Sequence, residues 1–124
     1  MTEKYKISFW QDKNGYSEAQ EYIWELKAKS VKSKDARIKL NKIVEYMEML
    51  EKYGTEIGYP YIDHIECETQ LFELRPLRDR FFFFYKTGNR FIILNHFVKK
   101  TQKTPRREIE KAISLMNDYN ERNL

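Results

Sequence analysis

The stretch "RFFFFYK", Arg80 to Lys86, restricts the fold of this chain more than any other segment. An almost continuous apolar run of this length belongs to a central strand covered on both sides, where successive side chains fill space on opposite faces. Core packing therefore accounts for Phe81, Phe82, Phe83 and Phe84 better than base stacking does. "RFIILNHFV", Arg90 to Val98, is a second run of the same kind. The turn "KTGNR" joins the two as a hairpin, with Gly88 and Asn89 suited to positive backbone angles. The approach to the first run is the puzzle, because Arg75, Arg78 and Arg80 crowd into the residues just before it.

Periodicity places the remaining elements. "KYKISFW" (Lys4 to Trp10) alternates, with Tyr5, Ile7 and Phe9 on one side, and reads as a first strand closed by the turn residues "DKNG". Ser17 and Gln20 match a capping box, and Ala19, Tyr22, Ile23 and Leu26 form the apolar stripe of the helix that follows. A second helix from Ser33 to Tyr53 carries Ala36, Leu40, Ile43, Met47 and Leu50, with Gly54 as its C-terminal cap, and the two helices pack as a hairpin. "QLFELR" sets Phe72 and Leu74 against Leu71, Glu73 and Arg75; Pro76 ends that strand, and Asp79 helps to make the bend after it. At the far end Thr104 serves as N-cap and Pro105 as first helical residue, and Ile109, Ala112, Ile113 and Met116 are the stripe of a last helix. The order is β-α-α-β-β-β-α. This is an α+β fold, a single domain over residues 1–124, whose small antiparallel sheet packs against an N-terminal helical hairpin and a C-terminal helix.

Charge is distributed unevenly. Residues 1–70 hold 11 Lys/Arg against 13 Asp/Glu, residues 71–111 hold 11 against 4, and residues 112–124 hold 1 against 2, so a net +7 belongs to one segment of a chain whose total is +4. Charge concentrated in this way attracts polyanions, of which phosphate backbones are the commonest. A solvated basic face without a partner is the plainer alternative. The single cysteine, Cys67, excludes an intramolecular disulfide, and no leader pattern opens the chain, so a reducing cytoplasm is expected. The longest apolar run, Phe81 to Tyr85, is far short of the ~20 residues that span a bilayer, so no membrane partner is expected.

The basic segment has two clusters. Arg75, Arg78 and Arg80 surround the turn "RPLRDR"; in "HFVKKTQKTPRR", His96 closes the last long strand, Lys99, Lys100 and Lys103 fill the connection, and Arg106 and Arg107 open the final helix. Cations at a helix N-terminus oppose the macrodipole, a penalty that a bound phosphate reverses. Pairing of the two long strands brings both clusters to one cationic concavity. His96 reads either as a strand histidine satisfied by a backbone carbonyl or as a proton carrier. His64 and Cys67 in "HIEC" offer two ligands where a metal site needs three or four, so no metal is expected.

"LFELRPLRDRFFFFY" followed by "ILNHFVKKTQKTPRREIEKA" closely resembles the phage-derived branch of the RelE/ParE toxin superfamily, the HigB-like toxins of bacterial type II toxin–antitoxin systems. "SEAQEYI", "RIKLNKI" and "YG" extend the resemblance over nearly the whole chain. It implies a RelE-like fold and a ribosome-dependent mRNA endoribonuclease that inhibits translation without metal or cofactor, the ribose 2′-hydroxyl attacking the adjacent phosphate. By position it implies that Arg80 stabilises the phosphoryl charge, that Lys99 and Lys100 contact the phosphate and assist proton transfer, and that Arg75 clamps the substrate. Arg78, Lys103, Arg106 and Arg107 would add RNA contacts. His96 would be base or acid, as histidines in some HigB toxins are, whereas many relatives use lysine. Glu73 departs from the pattern, since RelE-like toxins place a lysine there.

The implied partners are the ribosome with its mRNA and a cognate HigA-like helix-turn-helix antitoxin, with operator DNA reached only through the antitoxin complex. Two other classes compete with this reading. One is a non-catalytic nucleic-acid-binding or phage-derived accessory protein on the same fold; the other is an interaction protein that docks through its paired N-terminal helices. RNA cleavage follows from the resemblance alone, whereas the residues themselves support an RNA-facing basic sheet.

Overall fold

The computed structural model describes residues 4–65 and 70–123. The elements are β1 (Lys6–Phe9), α1 (Glu18–Lys29), α2 (Lys34–Tyr53), a short 3-10 turn (Gly54–Ile57), β2 (Ile62–His64), β3 (Phe72–Leu74), β4 (Asp79–Lys86), β5 (Arg90–Val98) and α3 (Arg106–Arg122). They build one five-stranded sheet in the order β1-β5-β4-β3-β2. Strands β2 to β5 are antiparallel, and β1 joins the edge parallel to β5, Lys6 opposite Arg90 and Phe9 opposite Ile93.

The fold class is the one expected, with two differences. Strand β2 is additional: three residues paired with β3 are too short to show a period. The parallel edge makes the sheet mixed, a long-range pairing that alternation within "KYKISFW" cannot reveal. Cys67 lies outside the described residues, and the ring of His64 packs against Phe72.

The phenylalanine run fills both faces, as its composition demands. Phe81 and Phe83 join Ala19 and Leu26 of α1, Ala36, Ile43 and Leu50 of α2, and Leu74, Phe91 and Ile93 of the sheet. Phe82 and Phe84 join Leu71, Ile92, Leu94 and the α3 residues Ala112 and Met116 on the other side. All four are at most 2% exposed, and each buried aromatic of this size contributes about 1.5–3 kcal/mol of transfer free energy. The helical hairpin covers one face of the sheet and α3 the other.

Helix ends follow the sequence in part. The Ser17 hydroxyl accepts from the Gln20 amide, but the Gln20 side chain accepts from Gln11 instead of closing a capping box. Ser33 caps α2, and Gly54 ends it at φ 66° with the Tyr5 ring packed where a side chain would stand. The expected cap of α3 is displaced by one residue: Pro105 is the N-cap, and the Thr104 hydroxyl donates to Glu73 Oε2 at 3.1 Å. Among the described residues, no helix is long and apolar enough to cross a membrane.

Candidate nucleic-acid interface

The turn between β3 and β4 shapes one end of the sheet. Pro76 ends β3, Leu77 adopts φ 56°, and the Asp79 amide returns to the Pro76 carbonyl at 3.0 Å. The Lys99 amide donates to the Arg78 carbonyl at 2.8 Å, which extends the β4/β5 pairing and holds the two basic clusters side by side. A groove of about 330 Å³ opens there, lined by Arg78, Arg80, Lys99, Lys100, Thr101 and Gln102, with four cations and no carboxylate in its wall.

Arg80 is the fixed member of this set. Its residue is 7% exposed, and Nη1 donates to the carbonyls of Leu77 (2.7 Å) and Asp79 (3.0 Å). Behind it, Glu73 on β3 is buried with Oε1 3.9 Å from Arg80 Nε and 3.6 Å from Arg75 Nε. Neither Nε has a hydrogen-bond partner among the described residues. Burial first, then the charge of Arg75, lowers the Arg80 guanidinium from its ordinary value, against the opposing pull of Glu73 and Asp79. It stays cationic at physiological pH because arginine starts so far above neutrality. The Arg75 guanidinium lies over the Tyr59 ring, 5.0 Å from its centroid.

His96 is not beside Arg80. Between the pairs Phe81–His96 and Phe83–Ile93, β5 carries two residues where β4 carries one. Leu94 packs into the α3-side core and Asn95 Nδ2 reaches the Glu108 carbonyl of α3 at 3.4 Å, so both bulge residues serve the α3 face. The bulge thereby turns His96 to the hairpin face, while Arg80 shares the α3 face with Phe82 and Glu73. There His96 Nε2 lies 2.8 Å from Asp79 Oδ1, and its ring stacks on Tyr22 at a centroid distance of 3.7 Å. The Tyr22 hydroxyl donates to the same Asp79 oxygen at 2.7 Å. The partner of the histidine is thus a carboxylate, in place of the expected backbone carbonyl.

Burial alone would raise the Asp79 carboxyl; hydrogen bonds from His96 and Tyr22, helped by the charges of His96 and Lys39, outweigh it and hold the group below its ordinary value. Burial first, and then the bond to Asp79, push the Tyr22 hydroxyl well above its ordinary value. Asp79, read from sequence as a bend residue, is 1% exposed and ties β4, β5 and α1 together. Tyr22 was legible only as part of a helical stripe, and nothing in the local sequence signals its bond to a residue 57 positions away.

A second groove of about 700 Å³ adjoins the first through Lys100 and Thr101, and Glu18, Tyr22, Glu25, His96 and Arg107 are among the residues that line it. Lys103 and Arg106 line neither groove. Arg106 and Arg107 are strongly exposed and lie 3.4 Å from Glu110 and 3.8 Å from Glu108, ion pairs that soften their penalty at the helix N-terminus. Of the predicted set, Arg78, Arg80, Lys99 and Lys100 share one groove, Arg75 joins them through Glu73, and His96 and Arg107 face the neighbouring one. Among the described residues, no group of three or more His, Cys, Asp or Glu side chains is placed to hold a metal ion.

A sheet end walled by four cations, with a pinned arginine at its base, is the distinguishing feature of this small α+β protein. The family model described as "Phage derived protein Gp49-like (DUF891)" matches residues 29–117, and the chain belongs to this phage-derived, RelE/toxin-like family. The matched span contains both arginine and lysine clusters and the whole lining of the cationic groove. No curated protein matches the chain.

Proposed function

We propose that this protein is a HigB-like toxin of a type II toxin–antitoxin system, acting in the cytoplasm as a ribosome-dependent, metal-independent mRNA endoribonuclease. The observation that carries the reading is Arg80: almost buried, pinned by two carbonyls, and opening onto a groove whose charged lining is entirely cationic. Fixed donors of this kind stabilise charge that develops in a transition state, because they need no reorganisation when it forms.

In the proposed reaction the ribose 2′-oxygen bonds to the adjacent phosphorus and the bond from phosphorus to the 5′-oxygen breaks. The products are a 2′,3′-cyclic phosphate and a 5′-hydroxyl. One group accepts the 2′ proton and another supplies a proton to the leaving oxygen. Arginine keeps its charge at neutral pH and is a poor general acid or base, so Arg80 carries the phosphoryl charge and the proton steps fall to Lys99 and Lys100 in the same groove. His96, on the opposite face, braces Asp79 at the root of β4. Arg75 and Arg78 extend the contact along the RNA, and Lys103, Arg106 and Arg107 meet phosphates farther out. A HigA-like antitoxin would restrain the toxin and bring it to operator DNA.

Expression under tight control tests this. Growth arrest with new transcript 5′ ends inside translated codons is expected, and Arg80→Ala should abolish both while the circular dichroism spectrum stays unchanged. Arrest without new ends would remove the nuclease. One observation favours a second reading, RNA binding without cleavage: the imidazole, best suited of side chains to proton transfer at neutral pH, faces away from the arginine. Retention on translating ribosomes with intact mRNA would establish that reading instead.

A further inference from the structure

Glu73 has no part in the proposed chemistry, yet it is the only carboxylate within 4 Å of either Arg75 or Arg80 among the described residues, and it is 2% exposed. A buried carboxylate carries a desolvation penalty that an apolar side chain beside Phe82 would avoid. What the carboxylate supplies is a fixed negative charge behind two guanidinium groups.

Its two oxygens are used differently. Oε1 stands 3.6 Å from Arg75 Nε and 3.9 Å from Arg80 Nε, beyond hydrogen-bond length for both, so it orients them as a charge. Oε2 accepts the Thr104 hydroxyl at 3.1 Å, which fixes the carboxylate and fastens it to the segment that follows Lys99 and Lys100. With Nε 3.9 Å from Glu73 and Nη1 given to the Leu77 and Asp79 carbonyls, Arg80 is held in the wall of the groove.

We infer that Glu73 is a positioning residue for the phosphate site: its charge sets the rotation of the Arg80 and Arg75 guanidinium planes, and its bond to Thr104 sets their distance from the lysine segment. The inference rests on the cationic groove being the place where an RNA phosphate is cut. A charge is required here, because an amide of the same shape keeps the Thr104 contact but not the electrostatic alignment. Misplacement of a group at the reacting centre by about 1 Å can cost a hundredfold in rate.

The test is Glu73→Gln, measured in two ways. On translating ribosomes, kcat for mRNA cleavage should fall about 10- to 100-fold with KM little changed, because alignment and not attraction is lost. A merely structural role would lower the melting temperature and leave kcat of the folded fraction at the wild-type value, and that result overturns the inference. Independently of activity, nitrogen-15 NMR of the wild-type protein should show the Arg75 and Arg80 Nε–H protons exchanging more slowly than that of exposed Arg107. Glu73→Gln should shift and speed the first two only. If Arg80 Nε–H in the wild type exchanges as fast as Arg107, the inference fails even where Glu73→Gln does not fold. If the NMR protection is found but the wild type cuts no mRNA, the nuclease reading fails and the alignment of the arginines stands.

Discussion

Arg80 and His96 leave the central hairpin on opposite faces. Arg80 pairs across to Phe97 and His96 to Phe81, and the two-against-one step in β5 sets the histidine in line with Asp79. The two residues that sequence places at one phosphate are therefore assigned to different work: one meets the groove, and the other braces the strand that carries it.

This separation orders the effects of mutation. Lys100→Ala, in the wall shared by both grooves, should lower the cleavage rate about 100-fold or more, the scale of a lost general acid or base. His96→Gln, which keeps one donor for Asp79, should leave cleavage near wild type while lowering the melting temperature. Single-turnover cleavage on programmed ribosomes measures the first effect and calorimetry the second. A His96→Gln protein that is stable but inactive would return the proton step to histidine.

The Asp79 cluster makes stability depend on pH at both ends. Asp79 is held below its ordinary value, so its contribution is complete above about pH 4 and is lost as pH falls below that. Tyr22 is held above its ordinary value, so its contribution is complete below about pH 10 and is lost as pH rises beyond it. Urea unfolding across pH should show the wild-type advantage over Asp79→Asn shrinking on acidification and that over Tyr22→Phe shrinking in alkali. Advantages that stay constant across these windows would contradict the coupling.

Binding to RNA should weaken with salt. Removing one phosphate contact by Lys99→Ala or Arg78→Ala should reduce the slope of log K against log salt by about 0.7 for single-stranded RNA. Lys103→Ala, lying outside both grooves, should change the slope less. Fluorescence anisotropy with a labelled oligonucleotide at several salt concentrations measures all three.

Gly54 is required twice over, by its φ of 66° and by the Tyr5 ring carbons 2.8 Å from where a Cβ would lie. Gly54→Ala should cost at least about 1–3 kcal/mol from the backbone alone, read from denaturant midpoints. A cost near zero would mean that α2 can end in another way.

What the sequence made legible is what local chemistry decides. The run Phe81 to Phe84 specified a central strand with two covered faces, and Ser33 and Gly54 marked the ends of α2. The turn residues Gly88 and Asn89 take the positive angles their types suggest, φ 86° and 58°. The polar pairings were hidden because each is decided at long range. Thr104 looks like a cap until Glu73, 31 residues away, takes its hydroxyl. Asp79 looks like a bend residue until Tyr22 and His96 converge on it. The bulge has no signature, since Leu94 and Asn95 read as ordinary strand positions. The arginine and lysine clusters were visible as charge, but which face each side chain takes depends on register.

The parallel edge strand also governs how the chain is made. Residues 6–9 pair with residues 90–93, so during synthesis β1 leaves the ribosome well before β5, the strand it pairs with. Pairing across such a sequence separation makes folding slow and leaves the nascent chain with an open edge. The segment bearing Lys99 and Lys100 follows β5 directly, so the partner of the β1 edge and the wall of the cationic groove come from one continuous stretch of chain.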